Sequence, residues 1–81
     1  MNKKSILIVD DEESIRVSLE AILKKQYYVN TAETGLKALK MLQNDHYDLT
    51  LSDIKMDDMN GIALLKKVKE KFPKIPVLLM T

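Results

Sequence analysis

Residues 6–9, Ile-Leu-Ile-Val, form an unbroken apolar run that ends on four acids, Asp10, Asp11, Glu12 and Glu13. So short a run of aliphatic residues predicts a strand buried on both faces. From Ser14 the period changes: Ile15, Leu19, Ile22 and Leu23 recur at helical spacing. The acids stand where a helix dipole favours negative charge, and Lys24 and Lys25 close the last turn. Tyr27–Thr31, aromatic and β-branched, predicts a second strand. Thr34 is placed to cap a second helix, with Leu36, Leu39 and Leu42 on one side and Ala38 alongside, ending near Asn44 and Asp45. Leu49–Ser52 predicts a third strand, which also runs into an acid, Asp53. After a loop over Ile54–Asn60 and Gly61, the residues Ile62, Leu65, Val68 and Phe72 mark a third helix stopped by Pro73. Ile75–Met80 predicts a fourth buried strand.

The order βαβαβαβ predicts an α/β fold, a parallel sheet joined by right-handed crossovers, and no repeat, linker or low-complexity tract interrupts it. In the flavodoxin-like, doubly wound arrangement the strand order is 2-1-3-4, and the functional crevice lies beyond the C-terminal ends of strands 1 and 3. Asp10 and Asp11 would there meet Asp53. Neighbouring carboxylates disfavour one another's ionisation unless a positive partner opposes them. Carboxylates without histidine or cysteine make a hard oxygen site suited to Mg²⁺, with Mn²⁺ as a substitute. An aspartate beside such an ion can act as a nucleophile and form an aspartyl phosphate. Asp53 is the candidate nucleophile because its strand is central, whereas Asp10 and Asp11 share a turn better placed to hold metal. Thr81, at the end of strand 4, could donate a hydroxyl hydrogen bond to the phosphoryl group.

Any one of these acids alone reads as a turn or cap residue, and convergence is what favours a metal site. His46 reads as a solvated loop residue, and Met41, Met56, Met59 and Met80 as packing. Neither GxxxxGK[ST] nor GxGxxG occurs, so a nucleotide lacks its usual cradle. An Asp-x-Asp phosphatase pattern is not met, since Glu12 stands two residues after Asp10.

Composition sharpens this picture. At 81 residues the chain is long enough for one domain, and 46% hydrophobic with 31% charged residues is the balance of a soluble globular one. The net charge of +1 hides an asymmetry: seven of the twelve acids (Asp10, Asp11, Glu12, Glu13, Asp53, Asp57, Asp58) follow the first and third apolar runs. A negative pocket on a mildly basic body favours a cation over nucleic acid. Lys66, Lys67, Lys69, Lys71 and Lys74 read as a solvated helix face, with no interleaved aromatics to suggest a nucleic-acid patch. No apolar stretch approaches the roughly 20 residues of a membrane helix, and acids stand where a signal peptide would have its cleavage site. With no cysteine there is no disulfide framework or thiolate chemistry. The expected compartment is the cytoplasm.

ILIVDD at strand 1, DLTLSDIKM at strand 3, MNG opening helix 3 and IPVLLMT at strand 4 resemble, in order and spacing, the receiver domain of bacterial two-component response regulators, and LSDIKM is similar to the nitrogen-regulatory type. The resemblance covers the whole chain. It implies Asp53 as phosphoacceptor, Asp11 as a direct Mg²⁺ ligand, Asp10 as an acid acting mostly through water, the backbone carbonyl of Lys55 as a further ligand, and Thr81 as a switch hydroxyl. It implies a phosphohistidine of a sensor histidine kinase as donor, contacting helix 1 on a side that includes Arg16 and Glu20. It implies no enzyme beyond the domain's own phosphoryl transfer and dephosphorylation. Two departures stand out. Asp57 occupies the place of the family's usual proline, and the sequence stops at Thr81, before the family's helix 4, strand 5 and helix 5 and the lysine that pairs with the phosphoryl group. The expected consequence is an open strand 4 edge, with either self-association through Ile75–Met80 or only marginal folding. The alternative function class is a phosphorylation-independent interaction or self-assembly module.

Overall fold

The computed structural model describes residues 3–56 and 58–80. Within them the chain runs β1 (Ser5–Val9), α1 (Glu13–Leu23), β2 (Tyr28–Ala32), α2 (Gly35–Asn44), β3 (Leu49–Asp53), α3 (Gly61–Lys71) and β4 (Val77–Met80). The strands pair in parallel in the order β2-β1-β3-β4, the order expected for the flavodoxin-like fold. Registers align Val9 with Ala32 on one side and with Ser52 on the other, while Asp53 lies opposite Met80. Strand side chains alternate between faces, so each strand serves two layers.

One layer is well filled. Leu7 and Val9 of β1 and Ala32 of β2 pack with Ala38 and Leu42 of α2 and with Leu64 and Val68 of α3, all buried. Tyr47 closes this core at its base; it is 2% exposed, and its hydroxyl accepts a hydrogen bond from the Asn30 side-chain amide at 2.9 Å. Met41, Met56 and Met59 pack against the cluster, the packing role expected of them. The lysine series of α3 and Lys74 are exposed, as a solvated face requires.

The other layer is thin. It holds α1 alone, and none of its residues is buried. Ile15 and Ile22, expected to face a core, are 40% and 66% exposed. Among the described residues no second helix lies beside it on the four-stranded sheet, so the apolar stripe is only half covered.

Helical spacing also misplaced single residues. Leu36 and Ile62 lie outward on α2 and α3, because Gly35, Ala38 and Leu42 define the buried stripe of one helix and Gly61, Leu64 and Val68 that of the other. Each is rotated about 100° from the residue before it, which is the one that faces inward. Lys24 and Lys25 fall just past the end of α1. β4 is the edge strand that the order 2-1-3-4 implies, and only the reading of it as buried is corrected, since Leu78 is 55% exposed. Thr34 and Asn60 cap α2 and α3, accepting from the N–H of Lys37 (3.1 Å) and Ala63 (2.8 Å). Among the described residues no helix is long and apolar enough to cross a membrane.

Candidate functional site

β1 and β3 are adjacent and end together, since Val9 pairs with Ser52; the next residue on each is Asp10 or Asp53. Asp10 extends the sheet by one further bond, donating its N–H to the Ala32 carbonyl at 3.1 Å. Its side chain then turns the chain into α1, Oδ1 accepting the Glu12 N–H at 2.9 Å. This Asx turn projects Asp11 over the strand ends.

Asp10 is buried, Asp53 half-buried and Asp11 exposed, and each offers a carboxylate oxygen within 4.8 Å of the others. Residues more than forty positions apart thus share one pocket, as the strand pattern predicts. The pocket is a crevice of ≈ 330 Å³ lined by Asp10, Glu12, Asp53 and the apolar Ile15, Leu19 and Met80. Glu12 was legible only as one of a run of acids, and its place on the crevice wall follows from its position at the start of α1.

Arg16 is a correction. Expected on the exposed side of α1, it is half-buried, and its guanidinium turns back to donate to the Asp10 backbone carbonyl at 2.7 Å. Glu20 is half-buried too. One turn of helix separates Arg16 from Glu12, so the guanidinium reaches the acidic turn. It supplies positive charge beside the acids but is spent on a carbonyl. Among the described residues no basic side chain forms a salt bridge with Asp10, Asp11 or Asp53.

The donor set fits a small divalent ion. Two oxygens on one Mg²⁺, each at about 2.1 Å, are at most about 4.2 Å apart. Carboxylates spread over up to 4.8 Å therefore suit a site in which some bind directly and another through water. Lys55 lies in the loop after β3 with its side chain exposed. Thr81 and Asp57 lie outside the described residues. His46 is exposed, but its ring contacts Asp48 Oδ1 at 3.0 Å, at the opposite end of the sheet.

The backbone under the site leaves little freedom. A Cβ on Gly61 would overlap the Asp53 carbonyl oxygen and lie 2.9 Å from Ile54 Cα, so glycine is required for α3 to start this close to β3. Asp58, in the same loop, accepts the N–H groups of Gly35 and Leu36 at the start of α2. Burial raises its carboxyl pKa, but those bonds, with ones from Met59 and its own N–H, outweigh burial and bring it below the ordinary value. Sequence reasoning missed this contact.

The model of the family described as "Response regulator receiver domain" matches residues 6–81. The chain is 43% identical over 82 residues to the DNA-binding transcriptional regulator NtrC of Proteus hauseri, covering 100% of this chain and 17% of that protein. It is 44% identical over 77 residues to the transcriptional regulatory protein ZraR of Escherichia coli K12, covering 94% of this chain and 18% of that protein. The chain thus spans less than a fifth of the curated relatives it matches. The response regulator TrrA of Thermotoga maritima, solved in complex with Mg²⁺-BeF, superimposes with a TM-score of 0.89 at 36% identity, over 94% of this chain and 67% of that one.

Proposed function

Because this chain belongs to the response regulator receiver domain family, we propose that it accepts a phosphoryl group on Asp53 from a phosphohistidine of a sensor histidine kinase. The observation that carries the reading is the convergence of Asp10, Asp11 and Asp53 on one crevice. In the transfer a carboxylate oxygen of Asp53 attacks phosphorus in line with the bond to the histidine nitrogen. The P–O bond forms as the P–N bond breaks, and the imidazole leaves with the electron pair and takes up a proton. Asp53, half-buried at the end of a central strand, is held by the sheet in one orientation for attack.

Asp11 and Asp53 would hold Mg²⁺ directly, with Asp10 acting mostly through water and the Lys55 carbonyl completing the protein ligands; Mn²⁺ has the same donor preference. When bound, the ion neutralises charge on the phosphoryl oxygens. Arg16 fixes the Asp10 backbone, so the metal-holding turn does not splay under repulsion among its acids. Thr81 would donate its hydroxyl to the phosphoryl group. The kinase would dock along α1, whose N-terminal end borders the crevice, and the whole would operate in the cytoplasm. Beyond its own phosphoryl transfer and dephosphorylation the domain would catalyse nothing. We also read the open β4 edge as the place where a second copy pairs. No feature of the site favours a phosphorylation-independent module over this reading.

Incubation with acetyl phosphate and Mg²⁺, followed by intact-mass spectrometry, tests the proposal. The expected result is a gain of one phosphoryl group that needs the ion and vanishes in Asp53→Asn. Uptake that persists in Asp53→Asn, or none at any Mg²⁺ concentration in folded protein, would overturn it.

A further inference from the structure

Among its described residues the Ile54–Asn60 loop is fastened at three places. At its neck the Gly61 N–H donates to the Ile54 carbonyl at 2.6 Å. At its exit Asn60 caps α3. Between them Asp58 reaches away from the crevice and lays both carboxylate oxygens across the first turn of α2, accepting from Gly35 and Leu36 at 3.0 Å each. Those N–H groups are among the donors a helix leaves unpaired at its start, where the dipole also favours a carboxylate.

Met59 follows Asp58 onto the helix. A Cβ on Gly35 would lie 2.8 Å from the Met59 sulfur, so the absence of a side chain there permits the approach. Thr34 takes a different donor, the Lys37 N–H. The start of α2 therefore has two caps, a local one and one delivered by the loop.

Lys55 lies between the neck of this loop and Asp58, so a shift of the backbone at Lys55 strains either the Ile54–Gly61 bond or the Asp58 clamp. Resting on the metal and phosphoacceptor reading above, we propose that Asp58 is a positioning residue for that site. By clamping the loop to α2 it holds the backbone at Lys55 in register with the strand-end acids, and it makes the first turn of α2 respond when a cation binds. Asp58 is not one of the clustered acids and acts only through the loop.

Mg²⁺ titration followed by backbone amide NMR tests this. In the wild type the Gly35 and Leu36 amides shift with the same saturation curve as residues at the strand ends. Asp58→Ala weakens Mg²⁺ binding about fivefold, within the roughly two- to thirty-fold that loss of a helix cap can supply, and the α2 amides stop responding. Asp58→Asn, which keeps an acceptor oxygen, recovers most of the affinity. Thr34→Ala is the control: it removes the local cap from the same helix end and leaves Mg²⁺ affinity unchanged. Equal loss in Thr34→Ala and Asp58→Ala would overturn the proposal by reducing Asp58 to a helix stabiliser. So would wild-type affinity in Asp58→Ala. Should Asp58→Ala fail to fold, Gly35 and Leu36 amides that ignore Mg²⁺ in the wild type would overturn it. A wild type that takes up no Mg²⁺ at any amide would instead bring down the metal reading itself.

Discussion

Two glycines with similar crowding differ in what crowds them, and the difference predicts opposite tolerance. At Gly61 a Cβ would meet the backbone of Asp53 and Ile54, which cannot yield without moving the proposed phosphoacceptor. At Gly35 it would meet the flexible thioether of Met59. Gly61→Ala is expected to cost about 2–3 kcal/mol, the upper part of the overpacking range, and to slow phosphoryl uptake at Asp53. Gly35→Ala should cost about 1 kcal/mol or less, since the thioether can rotate away and alanine favours helix. Urea unfolding of the two variants measures the contrast, and equal costs would contradict it. Neither requirement is visible in the sequence, where Gly61 reads only as the residue that leads into the third helix.

At the scale of elements, two long-range carboxylates pin segment ends. Asp58 holds the start of α2, and Asp48 holds the start of β1 by accepting the Ser5 N–H at 2.8 Å while the Asp48 N–H donates to the Ser5 carbonyl. The Ser5 bond and then the His46 contact bring the Asp48 carboxyl below its ordinary value, and the bonds to Asp58 outweigh burial to do the same there. A carboxyl with a lowered folded-state pKa binds protons more weakly in the folded chain than in the unfolded one. Its contribution is thus complete above the ordinary carboxylate range and is lost as the pH falls below about 4. Thermal melts are expected to show flat midpoints from these two groups between pH 7 and 5 and a fall below pH 4, shallower in Asp48→Asn. A fall of the same steepness in that variant would assign the acid limb elsewhere. The local cap at Thr34 should be worth about 1 kcal/mol in Thr34→Ala.

For the whole molecule the decisive feature is the unequal cover of the two sheet faces. The radius of gyration is 11.6 Å, close to the ~11.7 Å of a compact chain of this length, so the thin face does not reflect a loosened molecule. Among the described residues one helix covers that face where the opposite face has two. Beside α1 an apolar groove of ≈ 540 Å³ runs along Ile6, Leu23, Tyr27, Leu49, Leu51 and Pro76, and among the described residues β4 is an edge strand with Leu78 exposed. Such edges pair with other chains. The 81-residue chain is expected to self-associate through β4, giving a mass above the monomer by light scattering on a sizing column. Leu78→Lys, a charge on that edge, should restore the monomer. A compact monomer of the unaltered chain at high concentration would sink this expectation.

Sequence alone determined the order and kind of the elements, because a strand and a helix impress different periods on the chain and each acid marks where an apolar run ends. It also singled out Asp10, Asp11 and Asp53 as acids at the ends of two strands, each alone an ordinary turn or cap residue, and the fold brings their carboxylates within 4.8 Å of one another. The depth of burial was decided only in three dimensions. Ile22 and Leu42 read alike along the chain, yet one is 66% exposed and the other 3%, because burial depends on what packs opposite. The Arg16 bond to Asp10 and the clamp of Asp58 on α2 had no local signature either. Hydrogen bonds need donors and acceptors within about 3 Å, and for residues 22 or 23 positions apart only the folded backbone sets that distance.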